Sequence, residues 1–189
     1  MLKAARIGSM LSLVALLAVA GTANAQITFD EFPVGTVITN QYSPVVTFSP
    51  GPVGGTDPII ATDGAMPTSP VLSPNPPYAG DFWMKFGPGI TNVDFISGYW
   101  DTVGTGKIDV YNQFGALIGN YTDTTLGIDA FTFSNPTTGI GWIYFNSVSD
   151  PAGADIDNLY ATPEPGTLLL LGSGLVGLAG FARRRFSKK

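Results

Sequence analysis

Lys107-Ile108-Asp109-Val110-Tyr111-Asn112-Gln113-Phe114-Gly115-Ala116-Leu117-Ile118 (residues 107–118) alternates polar and apolar side chains, breaks at a short polar and glycine-containing stretch, and returns to an apolar run. A period of two puts successive side chains on opposite faces of an extended strand. Gly115 tolerates the positive φ that a tight reversal needs, so the stretch is predicted to form a β-hairpin. The same alternation recurs on either side of it, in Ile27-Thr28-Phe29, Val93-Asp94-Phe95-Ile96, Phe131-Thr132-Phe133 and Ile140-Gly141-Trp142-Ile143-Tyr144-Phe145. These runs are rich in β-branched and aromatic residues and are bounded by Gly, Asn, Asp or Pro. No helical period occurs between Gln26 and Thr162. Six to nine short strands within those 137 residues predict an all-β domain, an antiparallel jelly-roll-like β-sandwich.

Residues 49–80 break the pattern, because they hold eight of the fifteen prolines. Proline cannot donate to a central ladder, so a long Pro/Gly-rich loop or a set of irregular edge crossings is expected there.

Both chain ends differ from the middle. Lys3 and Arg6 precede an apolar run from Ile7 to Ala20, and Ala23-Asn24-Ala25 follows. A charged start, a short apolar centre and an A-x-A end describe a signal peptide over 1–25, a signal helix removed after Ala25, with Ala23 and Ala25 as its cleavage signature. At the other end, Pro163-Glu164-Pro165 precedes an apolar segment and then Arg183, Arg184, Arg185, Lys188 and Lys189. The 17 residues from Gly166 to Ala182 would make about 25 Å of helix, just short of a ~30 Å hydrocarbon core. A transmembrane helix over 167–182 is expected, with the arginines held in the cytoplasm and the 26–162 domain outside.

In its three parts and their order, the 163–189 segment resembles the PEP-CTERM sorting domain of Gram-negative bacteria. The resemblance implies that an exosortase-type processing enzyme recognises Pro163, Glu164 and Pro165. It also implies that the protein is anchored in the inner membrane before processing, and then reaches the cell surface or an extracellular matrix, often beside exopolysaccharide. The alternative is a permanent single-span anchor.

Of nine basic residues, seven belong to the two targeting segments, which leaves Lys85 and Lys107 in the domain. Thirteen of the fourteen acids lie in the same span, giving it a formal charge of −11. Nucleic acid is therefore not an expected partner, since phosphate binding needs clustered Lys and Arg. The chain contains no Cys and no His, which excludes disulfides, thiol catalysis, histidine triads and Cys/His zinc sites. Paired carboxylates remain available, so a carbohydrate-active hydrolase is the enzyme class that the composition allows.

Ile27-Thr28-Phe29-Asp30-Glu31-Phe32-Pro33-Val34-Gly35-Thr36, with Asn40-Gln41-Tyr42 and Val46-Thr47-Phe48, resembles the opening of exported galactose-binding-like and carbohydrate-binding-module sandwiches. Ala154-Asp155-Ile156-Asp157-Asn158-Leu159-Tyr160 resembles their closing strand. The resemblance covers the two ends of the domain only. It implies that first and last strands are neighbours, with a structural calcium beside them. Asp30, Glu31, Asp155 and Asp157 are the candidate ligands, oxygen donors suited to a His-free acidic domain. Alternation puts Asp155 and Asp157 on one face and Ile156 on the other. The competing expectation is that these acids only solvate strand ends.

Tyr78, Trp83, Tyr99, Trp100, Tyr111 and Trp142 supply enough rings for a sugar-stacking platform. Tyr78, Trp83 and Trp100 are the candidate glycan contacts, while Trp142, in the run Ile140-Trp142-Tyr144, is expected inside. The sequence predicts an exported, non-catalytic surface or matrix protein that binds polysaccharide. A paired-carboxylate hydrolase and a self-associating structural subunit are the alternatives.

Overall fold

A computed structural model describes residues 25–52, 55–63, 70–77, 80–100, 103–122, 124–146 and 155–163, together with Gly174 and Gly177. Asn24–Pro163 forms one compact unit. Of the other unit, Met1–Ala23 with Glu164–Lys189, the described residues are Gly174 and Gly177, both helical. Ala23, Glu164, Pro165 and Arg183 to Arg185 lie outside the described residues, as do residues 1–24 of the expected signal segment and most of the expected 167–182 helix. Among the described residues no helix is long and apolar enough to cross a membrane.

Eleven strands follow one another: β1 (Ala25–Ile27), β2 (Val46–Pro50), β3 (Thr56–Ala61), β4 (Val71–Asn75), β5 (Phe82–Phe86), β6 (Ile90–Trp100), β7 (Lys107–Asn112), β8 (Leu117–Thr122), β9 (Gly127–Ser134), β10 (Ile140–Asn146) and β11 (Asp155–Pro163). All pairings between named strands are antiparallel, in two sheets. The first runs β3-β4-β11-β6-β9, with β1 added beside β11; the second runs β2-β5-β10-β7-β8. The all-β sandwich is therefore present, with more strands than the alternation alone reveals.

The extra strands are in the proline-rich region. β3 and β4 contain Pro58 and Pro74, and they pair from Thr56↔Asn75 to Ala61↔Val71 around a register shift. Residues 49–80 are thus not one long loop. β3 is the last strand of its sheet, where a missing N–H is tolerated, and β4 joins β11 at Ile156↔Leu72, past which Pro74 has no β11 partner.

Alternation fixes which side chains meet between the sheets. Phe82, Met84 and Phe86 of β5, Ile108 and Val110 of β7, and Ile143 and Phe145 of β10 point inward, opposite Val93 and Phe95 of β6 and Ile156, Leu159 and Ala161 of β11. Phe145 couples the two layers. It stacks on Phe82 within its own sheet at 4.9 Å between centroids and meets Phe95 of the other sheet at 5.4 Å. The hairpin expected over 107–118 forms as β7 and β8, with Gly115 at φ 82°. Asn112 organises its turn, because its Oδ1 accepts the N–H groups of Phe114 and Ala116, each at 2.9 Å.

First and last strands are neighbours, as the resemblance implied: Ala25, Gln26 and Ile27 pair with Ala161, Tyr160 and Leu159. β1 and β4 thus share one edge of β11, β1 on its C-terminal half and β4 on its N-terminal half.

Candidate functional site

The outward face of the β2-β5-β10-β7-β8 sheet follows from the same parity that builds the core. With Phe82, Met84 and Phe86 inside, Trp83 and Lys85 turn out; with Ile108 and Val110 inside, Lys107, Asp109 and Tyr111 turn out. Register then sets two rows across the strands. Ser49, Trp83, Tyr144 and Asp109 form one, and Thr47, Lys85, Trp142 and Tyr111 the other.

Four rings therefore gather on one face. Trp83 stacks on Tyr144 at 4.3 Å and 19° between planes, and Tyr111 lies 5.8 Å from Trp83. The Lys85 ammonium sits 5.9 Å from the centre of the Trp142 ring, within cation–π range. Between these groups lies an open hollow of about 400 Å³ lined by Ser49, Trp83, Lys85, Tyr111, Gly115 and Trp142. That volume suits a small ligand or one or two sugar rings. The Tyr144 hydroxyl, turned from the hollow, donates to Asp81 Oδ2. Burial first, then that bond and the Asp81 charge, push the Tyr144 phenol above its ordinary value.

Trp142 corrects the sequence reading. It is half-buried and lines the hollow, whereas Ile140, Ile143 and Phe145 enter the core. The cause is a register shift between Ile140 and Trp142, which reverses parity at Gly141. Gly141 is required there: a Cβ would collide with the backbone carbonyl oxygen of Asn112. Of the three candidate glycan contacts, Trp83 is in the hollow. Tyr78 lies outside the described residues, as does the side chain of Trp100. Sequence reasoning missed Ser49, Lys85 and Tyr144, although Lys85 stands two residues from Trp83 and so shares its face.

The candidate calcium ligands divide. Asp157 is fully buried, and its Oδ1 accepts the backbone N–H of Asn158 at 2.6 Å. Burial pushes its carboxyl up to about 6; the bond from Asn158 opposes this, and the nearby charge of Asp30 adds to it. Asp30 and Asp157 thus act on each other across the junction where β1 ends beside β11. Two non-glycine residues with left-handed backbone flank that junction, Phe29 at φ 61° and Asn158 at φ 50°. Asp155 is buried on the same side of the strand, opposite the inward Ile156, and its backbone oxygen accepts the Ser97 hydroxyl at 2.9 Å. Glu31 is engaged elsewhere, since its Oε2 accepts the Tyr42 hydroxyl at 2.9 Å. Among the described residues no three carboxylates gather as a metal-binding group. Carbonyl oxygens would have to complete any calcium shell built on Asp30 and Asp157.

Residues 161–185 match the PEP-CTERM protein-sorting motif. A tail of this kind implies an exported protein. No curated protein matches the chain. Among solved structures, a cleaved adhesin domain of Lys-gingipain resembles it with a TM-score of 0.52 at 14% identity, over 75% of this chain and 99% of that one. A family 29 carbohydrate binding module mutant matches with a TM-score of 0.35 at 13% identity, over 62% of this chain and 90% of that one. At such identities the adhesin likeness is one of fold.

Proposed function

We propose that this is a non-catalytic surface or matrix protein that binds polysaccharide on the outward face of the β2-β5-β10-β7-β8 sheet. The aromatic hollow carries this reading. Rings held upright by their cross-strand neighbours present flat apolar faces that match the apolar faces of pyranose rings, and they lose little freedom on binding. Its described lining contains no carboxylate, which argues against the paired-acid hydrolase, whose two acids must flank the bond they cleave. The adhesin-type fold fits the same reading. Retention of the full-length chain on immobilised polysaccharides, compared with Trp83→Ala, tests it; equal retention of both proteins on every polymer would overturn it.

Delivery and release complete the proposal. A signal peptide removed after Ala25 would leave Gln26 and Ile27 to pair with β11, and N-terminal sequencing of exported protein reads the cut. The 167–182 helix and the arginines at 183–185 hold the precursor in the inner membrane, and an exosortase-type enzyme acts at Pro163-Glu164-Pro165. Asp30 and Asp157, with Asp155 behind them, hold a structural calcium whose charge would relieve their mutual repulsion. If EDTA leaves the melting temperature unchanged and no calcium co-purifies, that site is absent.

A further inference from the structure

The domain has only two basic residues, Lys85 and Lys107, and both turn outward on the aromatic sheet face, one on β5 and one on β7. Lys85 lines the hollow beside Trp142, and Lys107 lies opposite Asn146 on one side and Thr122 on the other. Two strand spacings and four residues of β10 separate them, about 16 Å along a diagonal of the sheet.

Their electrostatic surroundings are equally specific. Ten of the domain's acids are described, and two of them approach this face: Asp109, within β7, and Asp81, which is buried and receives the Tyr144 hydroxyl. The others lie on the opposite sheet or its loops, such as Asp94 on β6, Asp129 on β9 and Asp157 on β11. Among the described residues neither lysine is ion-paired, although the domain carries eleven more acids than bases. An exposed ammonium beside stacking rings, without an ion-pair partner among the described residues, fits an anion brought by the ligand.

We infer that the face selects acidic polysaccharide, with uronate carboxylates paired to Lys85 in the hollow and to Lys107 further along the polymer. This rests on the polysaccharide-binding reading above and adds the ligand's charge to it. The rings supply contact with any pyranose, and the two lysines discriminate in favour of the charged one. Eight of the ten described acids lie away from this face, so the charge distribution favours it as the side on which a polyanion docks.

The test uses the full-length chain and matched pairs of polymers: polygalacturonate, polymannuronate and hyaluronate, each beside its own methyl-esterified, uncharged form. The expected result is retention on at least one uronate and not on its ester, weakened by added salt. Lys85→Gln and Lys107→Gln should each weaken it by about fivefold, with no change in melting temperature. Equal retention of a uronate and its ester, unaffected by either lysine variant, would overturn the inference and leave the polysaccharide-binding reading standing. No retention on any polymer in either form would overturn both. Trp83→Ala should lose retention on the uronate even at low salt, where the charge contribution is largest, which separates stacking from charge.

Discussion

Trp83 and Tyr144 stand directly opposite one another on β5 and β10, with ring centroids 4.3 Å apart and planes 19° from parallel. One face of the indole is therefore covered, and the other is directed toward Ser49 and the hollow. The pair is 61 positions apart in sequence, so the wall of the site exists only once the sheet has formed.

Trp83→Ala removes that wall. The ring is half-buried, so the cost to stability is expected at about 1–2 kcal/mol, below that of a fully buried tryptophan. Urea unfolding reads this, and polysaccharide retention should fall at least about tenfold. Trp83→Phe should recover most of the stability and part of the retention.

Gly141→Ala tests how the bulge positions Trp142. The added methyl meets backbone atoms of Asn112 and Gln113, which no side-chain rotation relieves. A loss of about 2–4 kcal/mol is expected, with altered Trp fluorescence as Trp142 shifts. An unchanged melting temperature would mean that β10 repairs its register without the glycine.

Asp157 makes a signed prediction about pH. Its carboxyl titrates near 6 in the folded chain and near 3.8 when free, so the folded state holds the extra proton between those values. The contribution of Asp157 to stability in EDTA is therefore greatest below the lower value and falls as pH rises toward about 6, by about 3 kcal/mol. Asp157→Asn should flatten that slope. Calcium should flatten it too, in the wild-type chain, by stabilising the ionised carboxylate; a slope that calcium leaves unaltered would remove Asp157 from the ligand set.

Glu164→Ala should block processing while leaving the domain folded, because Glu164 follows the last residue of β11. Uncleaved chain is then expected in the membrane fraction, read as intact mass. Normal release of this variant and of Pro165→Ala would exclude the motif as the processing site.

The strands were legible wherever alternation was strict. Lys107 to Tyr111 showed both faces of β7. Trp142 was misread because a period of two carries straight through Gly141, whereas the real strand bulges there. β3 and β4 were hidden by Pro58 and Pro74, which read as loop until one sees that β3 ends its sheet and β4 meets β11 at one register position. The site was only partly legible, because which strand lies beside which is a property of the topology: Ser49, Trp83, Tyr144 and Asp109 come from four strands that are not consecutive in the chain.

β11 is the last strand made, yet it lies inside its sheet, between β4 and β6, with β1 beside it. Until residues 155–163 emerge, that sheet exists only as two separate pieces, β3-β4 and β6-β9, and β1 has nothing to pair with. The next residues to emerge after Pro163 complete the sorting motif, which already begins within β11 at Ala161. Closure of the sandwich is thus timed to the arrival of the tail. A chain truncated before Asp155 lacks the strand that joins those two pieces, so the residues that complete the sheet are the ones that lead directly into the sorting motif.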